Sequence, residues 1–258
     1  MIQDIKELYK YREMLKNLVR KDLRTRYKGS FLGFLWTFIN PFMQLIVYSV
    51  IFSTIMKINI SNYSMFLFVV LLPWTFFSSS LLSSTASIVN NKDLVKKVYF
   101  PREILPIAVT TSSFMNLLFG FIIVFPCLLA TRVHLTLNVL YLPLILIIEY
   151  LLVLAFSIII SALNVYFRDL EHILGILMMG WFYFTPIIFP IEMIPHKYIS
   201  YFFINPMTPI STAFRDILFY GSKPNLTMLG IIGIASIFFL IFSHQVFHIL
   251  EKNFAEEI

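Results

Sequence analysis

Cysteine is nearly absent from this chain. Cys127 stands alone among 258 residues, so no intrachain disulfide can form and a cysteine-based metal centre is not expected; within its apolar run it reads as inert packing. Charge is scarce too: Asp, Glu, Lys and Arg make up 13%, against roughly 25% in a soluble domain, so water is not the main solvent of this protein. There is no Gly-x-x-x-x-Gly-Lys-Ser/Thr loop, Gly-x-Gly-x-x-Gly turn, His-Glu-x-x-His pair or Cys-x-x-Cys pair. The usual cradles for nucleotides and catalytic metals are therefore missing, and an enzyme is poorly supported. No Gly-x-y period or 20–50-residue repeat is present, which removes collagen-like and solenoid chains. Asp4, Lys6, Glu7, Lys10 and Arg12 occupy the place where a secretory leader has its apolar core, so the start of the chain is expected to persist in the mature protein.

What fills the chain is apolar: 59% of residues are hydrophobic and the mean hydropathy is +0.82. Six apolar stretches lie near 31–56, 65–89, 104–129, 139–165, 173–190 and 228–248, most close to the roughly 20 residues with which a helix crosses about 30 Å. The expected fold is an all-α polytopic membrane protein, one transmembrane domain over 1–258: an amphipathic helix over 1–30, a six-span bundle over 31–248 and a tail over 249–258. Pro186 and Pro190 break the fifth stretch. Beyond it, 192–220 is aromatic and punctuated by Pro195, Pro206 and Pro209, which predicts short re-entrant or interfacial helices between spans five and six. Over 2–28, Leu8, Tyr11, Leu15, Val19, Leu23 and Tyr27 recur at helical spacing with Lys6, Lys10, Lys16, Arg20, Lys21, Arg24 and Lys28 largely off that stripe. Such a helix suits an anionic membrane face; a solvated basic arm is the plainer alternative.

The net charge of +6 would suit nucleic acid if it were spread over a soluble surface, but here it is gathered in a few loops, so no nucleic-acid partner is expected. With the N-terminus inside, the cytoplasmic segments hold roughly 15 of the 20 Lys and Arg and the outer loops about 5. Both termini and 90–103 are accordingly expected in the cytoplasm, and 190–227 outside.

Between the second and third stretches, Asn91, Lys92, Asp93, Leu94, Val95, Lys96, Lys97, Val98, Tyr99, Phe100 and Pro101 read as a short helix. Asn91 caps it, Asp93 and the two lysines suit its dipole, and Pro101 stops it. Leu94 and Val98, four apart, form an apolar knob with a basic rim, fit for a cleft on another protein; a plain positive-inside turn is the alternative. Aromatic residues reach 17%; anchoring at the membrane interface accounts for about half of them, and stacking on sugar rings or lipid packing for the rest. Glu149, deep in the fourth stretch, marks a possible functional site by its depth, although no second intramembrane acid or base partners it. His244 and His248 share a helical face and read as interfacial packing rather than a metal site. Arg168-Asp169 is positioned either to tie the fourth span to the N-terminal helix or to form a simple interface ion pair.

Several runs together resemble the permease subunits of ABC exporters in the polysaccharide-export branch, which includes O-antigen and teichoic-acid exporters. They are Arg26-Tyr27-Lys28-Gly29-Ser30-Phe31-Leu32-Gly33-Phe34-Leu35-Trp36 through Asn40-Pro41, Leu72-Pro73-Trp74-Thr75-Phe76-Phe77, Lys97 to Glu103, Leu163 to Asp169, Phe184-Thr185-Pro186-Ile187 and Ile204-Asn205-Pro206-Met207. The resemblance implies a homodimer in the inner membrane, with no catalytic or metal site of its own, paired with two copies of an ATP-binding subunit that holds ATP and Mg. It implies a lipid-linked glycan as cargo, 91–101 as the coupling helix, and 190–227 as paired outer gate helices. It also implies an aromatic channel lining of Trp36, Trp74, Phe77, Trp181 and Tyr183, and a cytoplasmic interface of Arg24, Arg26, Tyr27, Lys28, Arg168 and Asp169. Export of a small lipid or drug, or a membrane-embedded glycan or lipid transferase, are the competing readings.

Overall fold

The computed structural model describes residues 7–27, 35–51, 60–131 and 135–257. The described chain is helical, with the order α1 (Arg12–Tyr27), α2 (Trp36–Ser49), α3 (Tyr63–Thr85), α4 (Lys92–Lys97), α5 (Ile104–Ala130), α6 (Leu142–Tyr166), α7 (Leu170–Tyr183), α8 (His196–Ile204), α9 (Met207–Arg215), α10 (Leu226–Leu250) and α11 (Phe254–Glu257). Among the described residues, four runs are long and apolar enough to cross a membrane: Tyr63–Thr85, Ile104–Ala130, Leu137–Tyr166 and Leu226–Asn253. They coincide with the second, third, fourth and sixth stretches. The first is represented by α2, whose flanks at 28–34 and 52–59 lie outside the described residues. The fifth is only a partial helix. α7 has 14 residues, a rise of about 21 Å, and it ends at Tyr183, ahead of Pro186, leaving 184–190 non-helical.

The central element is α3, where 78% of the apolar window is buried in protein, against 17% for α10. A helix that is apolar on every side must be surrounded, and α3 is, by α2, α5, α6, α7 and α9. α10 packs chiefly along α6 and presents Ile231, Ile234, Phe238 and Phe242 outward, as a lipid-facing helix does. α3 and α5 approach closely at Gly120, where an added Cβ would meet Leu72 at 3.0 Å. Pro41, Pro73 and Pro126 sit inside helices, which membrane helices tolerate because neighbouring groups serve the freed carbonyls.

The two ends of the bundle differ. One gathers α1, α4, the start of α7 and α11 and carries most of the described Lys and Arg; it is the basic end. The opposite, far end holds 184–225. There α8 buries no residue, whereas all nine residues of α9 except Thr212 are buried, against α3, α6 and α10. The segment between α7 and α10 thus divides into one surface helix and one inserted into the bundle. The apolar stripe of α1 and the residues just before it is used on the protein: Leu8 and Tyr11, then Met14, Leu15 and Leu18 of α1, pack onto a core layer at the basic end, and α1 lies along α5.

Candidate functional site

At the basic end, Ile88, Val95, Phe100, Ile104 and Leu105 form one buried layer with Ile158, Ala162 and Val165 of α6, Phe247 of α10 and Phe254 of α11. The loop between α3 and α5 is therefore anchored rather than free. Two expectations for it need correction. Asn91 does not cap α4; a 3₁₀ turn over Val89–Asn91 leads straight into that helix, and the Asn91 amide donates back to the Ser87 carbonyl at 2.8 Å. The Leu94/Val98 knob is also split. Leu94 packs against the chain's own layer, while Val98 has left the helix for an extended backbone and is 48% exposed, beside Tyr99 at 85%. The free apolar surface is thus Val98 and Tyr99, with the Tyr99 carbonyl held by the Tyr11 hydroxyl. Lys92, Asp93, Lys96 and Lys97 are exposed, and the Asp93–Lys97 pair at 3.8 Å is a weak surface contact.

The loop is clamped to the last long helix. Glu103, almost fully buried, meets His244 Nδ1 at 2.8 and 3.0 Å; His248 Nδ1 lies 2.6 Å from Glu251, and Arg102 donates to the Glu251 carbonyl. Glu103, His244 and His248 bring their ligand-capable atoms within 4.8 Å of one another, the grouping whose geometry would admit a metal ion. Arg168 departs from expectation: its guanidinium reaches the Glu257 carbonyl at 3.5 Å, not α1, because the start of α7 lies beside the C-terminal helix. Asp169 stands at the start of α7 without a side-chain cap bond. From α1, Asp22 accepts from Ser112 of α5. Arg24 is exposed; the side chains of Arg26 and Tyr27, and the whole of Lys28, lie outside the described residues.

Two cavities flank α3. One, of about 370 Å³, lies between α2, α3 and α5 and presents the Trp36 ring with the neutral polar groups of Asn40, Thr75, Ser79, Ser113 and Asn116. The other, of about 310 Å³, lies between α2, α3 and α7 and is bordered by Gln44, Tyr48, Trp74, Phe182 and Tyr183. Thr75 borders both. Of the expected aromatic set, Trp36, Trp74 and Tyr183 line these cavities. Phe77 is fully buried, edge-on to Phe156 and to Trp181, which itself packs on Phe156; the pair stands behind the wall formed by Trp74 and Phe182.

At the far end, Asn205 is a hub. Its carbonyl oxygen accepts from the Trp181 indole at 2.8 Å and from the Met207 backbone at 2.9 Å, and its amide donates to the Phe184 carbonyl at 3.0 Å and the Thr185 hydroxyl at 2.9 Å. One side chain thus joins the end of α7 to the turn between α8 and α9. Three successive carbonyls in the turn after α7 are also served by side chains: Arg215 donates to Ile187 and Phe189, and Tyr63 to Ile188. The Arg215 guanidinium lies 3.8 Å from the centre of the Phe66 ring. Next to it, burial, with the Glu192 carboxylate nearby, pushes the Asp216 carboxyl up to about 6 against the pull of Arg215. Gly221, at φ 65, closes this segment in a left-handed conformation that favours glycine, and its carbonyl accepts from Thr136 and Asn138 at 2.8 Å.

Residues 13–219 match the family model of the ABC-2 type transporter. The chain belongs to that family. Over 260 residues, covering all of both chains, it is 35% identical to the O-antigen export system permease protein RfbA of Myxococcus xanthus. It is 33% identical over 245 residues, covering 95% of this chain and 94% of the other, to the protein of the same name from Klebsiella pneumoniae. The polysialic acid transport protein KpsM of Escherichia coli is 25% identical over 209 residues, covering 79% and 80%. As an ABC-2 type transporter with helices of this length and hydropathy, the protein is an integral membrane protein. The family match takes in α1, both cavities and the α3–α5 loop, and stops before α10.

Within this ABC-2 framework, reading the residues alone missed the Asn205 hub, the Glu103–His244 clamp and the polar half of the cavity beside Trp36. Asn205-Pro206 was visible as a motif, but three of its four bonds reach residues 20 to 24 positions away. Glu103 and His244 are separated by 141 positions, and no spacing rule connects them. Glu149 is fully buried in α6, and neither of its oxygens takes a hydrogen bond from a described residue.

Proposed function

We propose that this chain is the transmembrane subunit of an ATP-driven exporter that moves a lipid-linked polysaccharide of O-antigen type across the cytoplasmic membrane. The observation that carries the reading is the full-length 35% identity to an O-antigen export permease. Two copies of the chain form the path and two copies of a separate ATP-binding subunit, which holds ATP and Mg, drive it. Cavities of about 370 and 310 Å³ are too small for a polymer, which is why a second copy is required. Rings with neutral hydrogen-bonding groups suit a glycan: aromatic faces stack on sugar C–H faces, and amides and hydroxyls exchange hydrogen bonds with sugar hydroxyls without selecting a charge. Trp36 and Tyr183 form the exposed wall, Trp74 borders the second cavity from a buried position, and Phe77 and Trp181 hold the wall from behind.

The basic end is the cytoplasmic end in this reading, because short loops rich in Lys and Arg stay inside. α2 and α7 complete six spans, α4 with Val98 and Tyr99 meets the ATP-binding subunit, and the far-end helices gate the exit. An impermeant thiol reagent applied to intact cells should modify a cysteine placed at Lys223 and spare one at Lys96; the reverse pattern would invert the topology. The function itself is tested in the native host. Deleting the gene should strip glycan from the surface while lipid-linked glycan accumulates inside. Complementation with Trp36→Ala or Tyr183→Ala should restore export only in part at normal expression. Undiminished surface glycan after deletion would refute the reading.

A further inference from the structure

A third cavity lies at the far end, between α8, α9, the turn after α9 and the start of α10, with a volume of about 200 Å³. We propose that it is a binding subsite for a single uncharged pyranose ring. The assignment deepens the glycan-export reading and depends on it only for the identity of the natural ligand.

The argument begins with an arginine that does not pair with its neighbours. Arg215, Glu192 and Asp216 all line the cavity. A guanidinium beside two carboxylates ordinarily takes one of them in a bidentate bond. Here Arg215 is 2% exposed and spends its terminal nitrogens on the Ile187 and Phe189 carbonyls, and its Nε–H, buried as well, has no partner among the described residues. Because that geometry is fixed by backbone, Glu192 and Asp216 are left without an ion pair or hydrogen bond to any described side chain. Ionised carboxylates accept and never donate, so the pair suits a ligand with several hydroxyl donors.

The rest of the lining matches such a ligand. Tyr220, half exposed, and Phe203 border the cavity and offer rings for the apolar face of a pyranose. Asn225 uses its side-chain oxygen on the Met228 backbone, which leaves its amide hydrogens for a ring or hydroxyl oxygen. Two carboxylates against one guanidinium leave a net negative site, which rejects an acidic sugar. The volume falls below the roughly 300–1,000 Å³ of pockets for drug-sized ligands, enough for one ring and not for a chain.

The test uses the full-length permease in phospholipid nanodiscs and saturation-transfer difference NMR with the methyl glycosides of glucose, galactose and mannose, and with glucuronate as the charged control. At least one neutral glycoside should receive saturation on its ring protons, and glucuronate should not. Glu192→Gln and Asp216→Asn should each weaken binding about ten-fold, as expected for a lost bond to a charged acceptor, with unfolding temperatures unchanged; Phe238→Ala, on the outward face of α10, should bind normally. Absence of transfer to all three neutral glycosides overturns the proposal. So does equal transfer to glucuronate, or undiminished binding in the Glu192→Gln/Asp216→Asn double variant. Loss of the subsite with the deletion phenotype intact would leave glycan export standing, whereas glycoside binding without that phenotype would leave the subsite and remove the export reading.

Discussion

A permease carrying Val98→Asp is expected to lose transport and to release its ATP-binding partner on purification, with Tyr99→Ala giving a milder form of both defects. Val98 and Tyr99 are the apolar side chains that the α3–α5 loop leaves in the open, at 48% and 85% exposure, on a segment whose other apolar residues, Val95 and Phe100, are sunk into the layer at the basic end. Burying such a side chain in a partner's cleft contributes up to about 1.5–3 kcal/mol, and placing an unpaired carboxylate there reverses the sign. Leu94→Asp is a poorer probe, because Leu94 packs against the chain's own core and its loss would loosen the loop itself. Lys96→Ala should change little beyond salt sensitivity, since an exposed charge is worth about 0–1 kcal/mol. Pull-down of the ATP-binding subunit, with ATP turnover in reconstituted membranes, measures all four variants. Should Val98→Asp keep its partner and full transport-linked turnover, docking must lie elsewhere, most plainly on α1.

Asn205→Ala is expected to lower the unfolding midpoint sharply and to free the indole of Trp181. The substitution removes four hydrogen bonds at once and strands the Trp181 indole, the Met207 amide and the Phe184 carbonyl, while the Thr185 hydroxyl keeps its bond to the Trp181 carbonyl. A stranded buried group costs about 1–3 kcal/mol in soluble proteins, while bonds between membrane helices average nearer 0.6 kcal/mol; the sum here is about 2–5 kcal/mol, since water reaches the more exposed of these groups. Asn205→Asp keeps the two accepting bonds and loses the two donated ones, so it should fall between wild type and alanine. Thermal unfolding in detergent followed by tryptophan emission reads both the midpoint and the environment of Trp181. An alanine variant with an unchanged midpoint and spectrum would show that the end of α7 is held by packing alone.

The long apolar runs were legible because hydrophobicity near 20 residues long has few other uses, and the four described helices that meet the length requirement fall where those runs lie. The partial helix α7 was legible for the same reason in reverse: prolines at 186 and 190 forbid a full span. The α3–α5 loop was recognised as a structured helix, but its outward face was misjudged. Helical spacing was applied to Leu94 and Val98, and Val98 stands where the helix has already given way to extended backbone. The Asn91 cap failed similarly, since a 3₁₀ turn ahead of α4 supplied the hydrogen bonds that the side chain was expected to make. For Arg168 a tie to the N-terminal helix and a simple interface ion pair were both open, and the fold brings it to the Glu257 carbonyl of the C-terminal helix instead.

By itself the sequence determined solvent, secondary structure and polarity, because each follows from local composition: apolar length makes spans, prolines end them, and clustered Lys and Arg mark one end. Which aromatic rings face open space and which stand behind them, as with Tyr183 against Phe77, was decided only when α3 was enclosed by five other helices. The same holds for Arg215. Its neighbours in the chain suggest a pair with Asp216, yet folding brings three backbone carbonyls of the 187–189 turn to Arg215 and Tyr63 instead, and a buried carbonyl left unserved costs more than a carboxylate left facing a cavity.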